Sequence, residues 1–303
     1  METNTKKIDE ISIPVPWGHV AARTWGEAQD PLIVCVHGIM DNAGTFNRLI
    51  PYLPNSFYYV CIDLPGHGRS SHFPPHLPIH TINYVLVYRI IFKYFQKKFI
   101  IMAHSYGGQI GFIFAQLYPE CIEKLIMLDT IITFPIAVKN FKHYLSRSVD
   151  AHINIEKKLL EKKKPPSYTH EEALDRLWNG RSYAPIKLEA AKALLERAIA
   201  PTEDGKFIFT VDQRLKNAIN PLRDIRCTIE MLKVHPVRCP VLIVLGSEST
   251  AQQVFLSSII QFLKRRRNVR IKYAEGNHDV HNDSPELVAP YVVKFLLYQK
   301  NKL

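Results

Sequence analysis

The first third of the chain alternates short apolar runs with longer stretches of helical periodicity. Leu32–Val36, Tyr58–Ile62, Phe99–Ala103 and Leu125–Leu128 are nearly all apolar. Runs of that length without a polar alternate predict strands buried on both faces. Two earlier runs, Glu10–Val15 and Val20–Trp25, meet at Trp17-Gly18 and predict a hairpin. Between the later runs, Thr81–Phe95 and Gln109–Tyr118 carry the helical period, and Pro119 closes the second. Strand–helix–strand repetition implies a parallel sheet with helices on both faces.

From Thr133 to about Leu222 this rhythm stops. Helical segments with basic faces, such as Glu171–Trp178 and Leu188–Ile199, are broken by Pro165-Pro166, Pro185, Pro201 and Pro221. Alternation returns with the strand Val241–Leu245, a helix over Ala251–Leu263, the strand Val269–Tyr273 and a last helix over Pro285–Tyr298. The pattern predicts one α/β core made of residues 1–132 and 223–303, interrupted by a helical insertion at 133–222.

Composition narrows the class. Apolar residues make up 47% and charged residues 22%, which excludes a disordered, fibrous or coiled-coil chain. The polar start, with Lys6, Lys7, Asp9 and Glu10, does not read as a signal peptide. The most apolar helical stretch, Tyr84–Phe95, holds Arg89 and Lys93, so no membrane span is expected. Five cysteines lack any CxxC spacing, and Cys35 and Cys61 fall in apolar runs. Reduced core thiols and a cytoplasmic location are the expectation. The net charge is +11, and residues 139–238 hold 20 bases against 13 acids. A basic surface attracts anions, but no zinc-finger or RRM-type motif stands beside it, so no nucleic-acid partner is expected.

The strongest chemical signal is Ala103-His104-Ser105-Tyr106-Gly107-Gly108, after one strand and opening a helix. A sharp strand-to-helix turn lifts a serine hydroxyl above the sheet, and small neighbours let helix and strand approach. The helix start below Ser105 offers unpaired N–H groups to an oxyanion. His37-Gly38-Ile39-Met40 follows another strand. Gly38 lets the chain turn so that the N–H groups of Ile39 and Tyr106 converge, while His37 is read as a packing residue. Gly276-Asn277-His278-Asp279-Val280-His281 follows the last strand. Histidine is the side chain suited to proton transfer near neutrality. His278 is the candidate base; His281 is read as lining the loop or packing against the last helix.

Together these pieces resemble the α/β-hydrolase family over nearly the whole chain. The resemblance includes Asp63-Leu64-Pro65-Gly66-His67-Gly68-Arg69-Ser70, a shaped loop near the site and not a catalytic element. The run from His37 to Phe46 with Leu49-Ile50-Pro51, and Gly276-Asn277-His278, look most like its serine hydrolase-like branch. The resemblance implies the α/β-hydrolase fold, a mostly parallel central sheet with helices on both faces and a helical cap. It also implies an acid after one of two strands. After Val241–Leu245 the usual position is Ser249, and Glu248 lies one residue early. After Leu125–Leu128 comes Asp129, which is taken as the acid, with Glu248 as the alternative.

The activity so implied is that of a serine hydrolase cleaving a carboxylic ester or similar small-molecule acyl substrate through Ser105, Asp129 and His278. Ile39 and Tyr106 would form the oxyanion hole, with no metal and no cofactor. A serine in the elbow argues against epoxide hydrolase and dehalogenase chemistry, which use Asp there. The alternative is a hydrolase-fold binding protein or receptor with little turnover. Phe134, Phe141, Tyr144, Trp178 and Tyr183 are candidates for an acyl pocket, though more of them are expected in the cap core. Asn301-Lys302-Leu303 resembles a Ser-Lys-Leu peroxisomal address, which adds a peroxisomal fraction to the expected location. Monomer and dimer both stay open.

Overall fold

The computed structural model describes residues 6–76, 78–161, 164–181, 185–220 and 223–298. Tyr183 and the Asn301–Leu303 tail lie outside the described residues.

Eight strands form one sheet. They are β1 (Ile8–Val15), β2 (Gly18–Trp25), β3 (Leu32–Val36), β4 (Tyr58–Ile62), β5 (Phe99–His104), β6 (Ile122–Leu128), β9 (Val241–Gly246) and β10 (Val269–Ala274). Their spatial order is β1-β2-β4-β3-β5-β6-β9-β10. β1 and β2 form the antiparallel hairpin, β2 meets β4 antiparallel, and every later pairing is parallel. The all-apolar runs are the central strands: every residue of β3, β4, β5 and β9 is buried. Alternate side chains of each strand feed two cores. Val34, Val60, Ile101 and Leu125 face one side; Ile33, Tyr59, Ile100 and Ile126 face the other.

The crossovers are α1 (Thr81–Phe95), α2 (Ser105–Leu117), α7 (Thr250–Phe255) and α8 (Ser257–Lys264). The last helices are α9 (Val280–Asp283) and α10 (Pro285–Leu297). Between β6 and β9 the chain runs through α3 (Phe141–Leu160), α4 (His170–Trp178), α5 (Leu188–Ala198), the small hairpin β7 (Ile199–Pro201) and β8 (Phe207–Phe209), and α6 (Ile225–Val234). That hairpin and the length of α3 go beyond the sequence reading. The helix expected over 251–263 is two helices, parted at Leu256, whose side chain is fully buried.

Two buried charges tie the interposed segment to the sheet. Arg197 of α5 and Asp63, just past β4, are both fully buried and meet at 2.8 Å. Arg197 also donates to Glu10 of β1 at 2.6 Å. Asp63 in turn accepts from the Ala43 and Arg69 N–H groups at 2.7 and 2.8 Å. The Asp63–Ser70 loop is therefore a braced turn, and a Cβ on Gly68 (φ +53°) would sit 2.3 Å from the Asp63 carboxyl.

Candidate active site

The parallel register puts His104 of β5 beside Leu128 of β6, so the next residues, Ser105 and Asp129, leave adjacent strands at the same sheet edge. Both have left-handed backbones, φ +46° and +43°. Non-glycine residues hold that conformation only when their surroundings impose it. At Ser105 the imposition comes from close packing. A Cβ on Gly107 would lie 2.5 Å from the Val36 carbonyl oxygen, and one on Gly108 would lie 2.4 Å from a Thr130 methyl. α2 begins directly at Ser105, four residues before the expected start, because the elbow itself is its first turn.

A continuous hydrogen-bond relay runs across this edge. His278 Nε2 lies 2.9 Å from Ser105 Oγ, and His278 Nδ1 lies 2.6 Å from Asp129 Oδ2. A carboxylate only accepts, so Nδ1 carries the proton and Nε2 accepts from the serine hydroxyl. Asp129 is fixed by two further donors: Gly246 N–H to Oδ1 and the Ser249 hydroxyl to Oδ2, each at 2.6 Å. Ser249, the position after β9 where an acid was looked for, instead donates to Asp129, just past the neighbouring strand β6. Glu248 is exposed at the rim, and among the described residues no hydrogen bond joins it to His278.

Burial pulls the His278 pKa down, but the hydrogen bond it donates to Asp129 and the nearby carboxylates of Asp129, Asp279 and Asp41 outweigh it and raise the pKa above 6.5. Behind it His104 is buried, its ring centroid 4.7 Å from that of His278 and its Nε2 3.0 Å from the His278 carbonyl oxygen. Burial holds His104 neutral, well below the usual imidazole range. His281 is buried against His104, with its Nε2 2.9 Å from Thr45 Oγ1, and burial pushes its pKa down to about 3.

The Ile39 and Tyr106 N–H groups have no acceptor among the described residues. The loop that carries Ile39 is shaped by two buried histidines. His37 Nε2 accepts from Leu64 N–H at 2.9 Å, and His67 Nε2 accepts from Met40 N–H at 3.1 Å. Desolvation lowers their pKa values to about 4 and about 3, so both stay neutral acceptors. His37 thus has a packing place, as expected of it.

Sequence reasoning missed a bridge. Arg181, from the segment between β6 and β9, donates to Asp41 Oδ1 at 2.8 Å and to Asp279 Oδ2 at 3.1 Å. It joins the loop after β3 to the loop carrying His278. Asp41, Asp279 and His104 also bring ligand-type atoms within 4.8 Å of one another. Arg181 already supplies the positive charge those two carboxylates need, so the cluster is built as an ion-pair bridge. Burial raises the Asp279 pKa to about 7 even with Arg181 opposing it. The partners lie 140 and 98 residues from Arg181 in sequence, and no local motif links them.

A cavity of about 500 Å³ opens on the relay, walled by Ser105, Gln109, Phe134, Pro185, Gln252 and His278 among others. A second, of about 560 Å³, shares Phe134 with it and includes Tyr144. Of the aromatic candidates, Phe134 and Tyr144 are therefore cavity wall. Phe141 and Trp178 are exposed and belong to neither cavity nor core. The buried cluster of that segment is built from small aliphatics instead, Ile186, Ala190, Ala191 and Leu194.

The family profile for the alpha/beta hydrolase fold matches residues 31–285. The chain belongs to the alpha/beta hydrolase fold family, and the matches support a hydrolase. More particularly, it is similar to human "Serine hydrolase-like protein 2", at 32% identity over 95% of this chain and 94% of that one. It is also similar to the "Serine hydrolase-like protein" of Danio rerio, at 33% identity over 97% and 90%. A hypothetical protein from Pseudomonas aeruginosa PAO1 shares the fold, with a TM-score of 0.79, 24% identity and coverage of 96% and 99%. No described helix is long and apolar enough to cross a membrane.

Proposed function

We propose that this protein is a serine hydrolase that cleaves a carboxylic ester or similar acyl substrate through a covalent acyl-enzyme. The observation that carries the reading is the unbroken relay from Ser105 Oγ through His278 to Asp129, at 2.9 and 2.6 Å. In this reading Ser105 attacks the carbonyl carbon while its proton passes to His278 Nε2. Asp129 orients the imidazole and stabilises its charged form. The Ile39 and Tyr106 N–H groups hold the oxyanion, each donor being worth roughly 2.7–4 kcal/mol. The ester C–O bond then breaks and the alcohol leaves with the proton from His278. Water, deprotonated by His278, attacks the acyl-serine and releases the acid. Residues 133–222 serve as a cap over the core formed by 1–132 and 223–303. Pro185 in the cavity wall and the Arg181 bridge support that division.

The test is labelling of the intact protein by a fluorophosphonate followed by peptide mass spectrometry. The adduct is expected on Ser105. A folded protein that takes no label overturns the enzyme reading in favour of a binding protein.

The raised pKa of His278 sets the pH profile. Only neutral imidazole accepts the serine proton, so kcat/KM should fall as pH drops, with its midpoint above 6.5. The same shift has the opposite sense for stability: the protonated ring is favoured in the folded state. That stabilisation is full below pH 6.5 and is lost as pH rises through the folded pKa. Measuring kcat/KM between pH 5 and 9 checks the first statement; an acid limb centred below 6.5 contradicts it.

A further inference from the structure

The second cavity is unlike an ordinary packing defect. On α3, Tyr144, Arg147 and Ser148 line it with His143, at the three- and four-residue spacing that makes one helix face. Lys216 and Asn217 face them from the 3-10 turn Gln213–Asn217. An amphipathic helix normally turns apolar residues toward its neighbours. Here the half-buried Tyr144 and the buried Ser148 turn inward, and His143 and Arg147 line the same cavity while staying exposed to solvent. Arg147 and Lys216 are exposed and make no ion pair with the described residues, and no Asp or Glu lines this cavity among them. The cavity adjoins the one on Ser105: Phe134 lines both and stacks on Phe255 at 5.8 Å. Unpaired cations of one sign gathered in a concave site raise the local concentration of anions.

We propose that the cavity of Arg147, Lys216 and His143 is an anion subsite of the same active site, and that the substrate is an acyl ester or thioester bearing a phosphate or carboxylate away from the reacting carbonyl. This rests on the serine hydrolase reading above. The reacting carbonyl sits at Ser105, the chain passes Phe134, and the anionic end reaches the two cations. The anion belongs either to the acyl half or to the leaving half, and the geometry is the same for both.

Two matched pairs of substrates test it and separate those halves. For the acyl half, the mono-p-nitrophenyl ester of glutaric acid is compared with p-nitrophenyl butanoate. For the leaving half, the butanoate ester of 4-hydroxybutyl phosphate is compared with butyl butanoate. At low salt, one of the two ratios of kcat/KM, anionic over neutral, should be about ten, the scale of two surface charge contacts. It should shrink as ionic strength rises. Arg147→Glu/Lys216→Glu should bring that ratio to one or below. Lys93→Glu/Lys98→Glu, at the opposite end of β5, changes the net charge equally and should leave the ratio near ten. Ratios near one in both arms of the wild type, or a preference that survives the first charge reversal, overturn the proposal. If no ester is turned over at all, the serine hydrolase reading fails, and calorimetric titration with octyl phosphate decides the subsite alone. Saturable binding weakened about tenfold by Arg147→Glu/Lys216→Glu upholds it; no binding, or binding indifferent to that reversal, removes it.

Discussion

Ser105→Ala is expected to lower esterase kcat by more than about 10⁴-fold, and Asp129→Asn by at least several hundredfold, with both proteins folded. The serine change removes the nucleophile and little else, since Ala fits the same turn and the elbow is held by the contacts of Gly107 and Gly108. The aspartate change is subtler. Asn tolerates the left-handed backbone of position 129, and its carbonyl oxygen can still accept from Gly246 N–H in place of Oδ1. Its amide nitrogen would then replace Oδ2, which now accepts from both His278 and Ser249. An N–H group facing His278 Nδ1 forces the proton onto Nε2, the tautomer that cannot take the serine proton. Glu248→Gln should change the rate only a few-fold, because Glu248 is exposed and has no hydrogen bond to the imidazole. Steady-state rates of the three variants, each with its circular dichroism spectrum, decide the matter. A crippled Glu248→Gln beside a mild Asp129→Asn would move the acid to the later strand. Two mild acids beside a dead Ser105→Ala would leave a Ser–His dyad.

The core was legible because its information is local. Leu32–Val36 and Tyr58–Ile62 carry no polar alternate, and only a strand covered on both faces buries such a run. The elbow and the His278 loop were legible for the same reason: each motif sits within a few residues of a strand end. The choice of Asp129 over Glu248 was less so. It turned on β5 and β6 being neighbours, a fact of topology that the strand order makes explicit.

What escaped the sequence is what depends on distant partners. α3 repeats Phe141, Leu145, Val149 and Ile153 at the helical period, but Phe141, Val149 and Ile153 stay exposed, so the stripe does not mark a face packed on the core. The break at Leu256, a fully buried residue, has neither Gly nor Pro to announce it. Arg181 reads as an ordinary surface base until the fold brings Asp41 and Asp279 to it. Ser249 reads as the place of an absent acid, and the fold makes it a hydrogen-bond donor to Asp129.

The same dependence makes Arg197 the position where a single change should most damage the fold. Arg197→Met is expected to destabilise by about 3–5 kcal/mol, the scale found when one partner of a buried ion pair is removed. The methionine keeps the aliphatic stem of the side chain, so the loss isolates the charge. Asp63 would stay behind, 0% exposed, with only the Ala43 and Arg69 N–H groups to solvate it. At this chain length the melting temperature should fall by roughly 5–15 °C. Asp63→Asn alone should also destabilise, because Arg197 then keeps only Glu10. The double change should cost less than the two singles added, since neither buried charge is left facing an empty partner. Thermal denaturation of the four proteins at one pH gives the coupling directly. If the singles add, the 2.8 Å pair contributes nothing specific, and the segment from Phe141 to Phe209 is held on the sheet by its other contacts, the Arg181 bridge among them. If they do not, this pair is a fixed anchor of that segment, placed where α5 meets the loop after β4 and well apart from the Arg181 bridge in sequence.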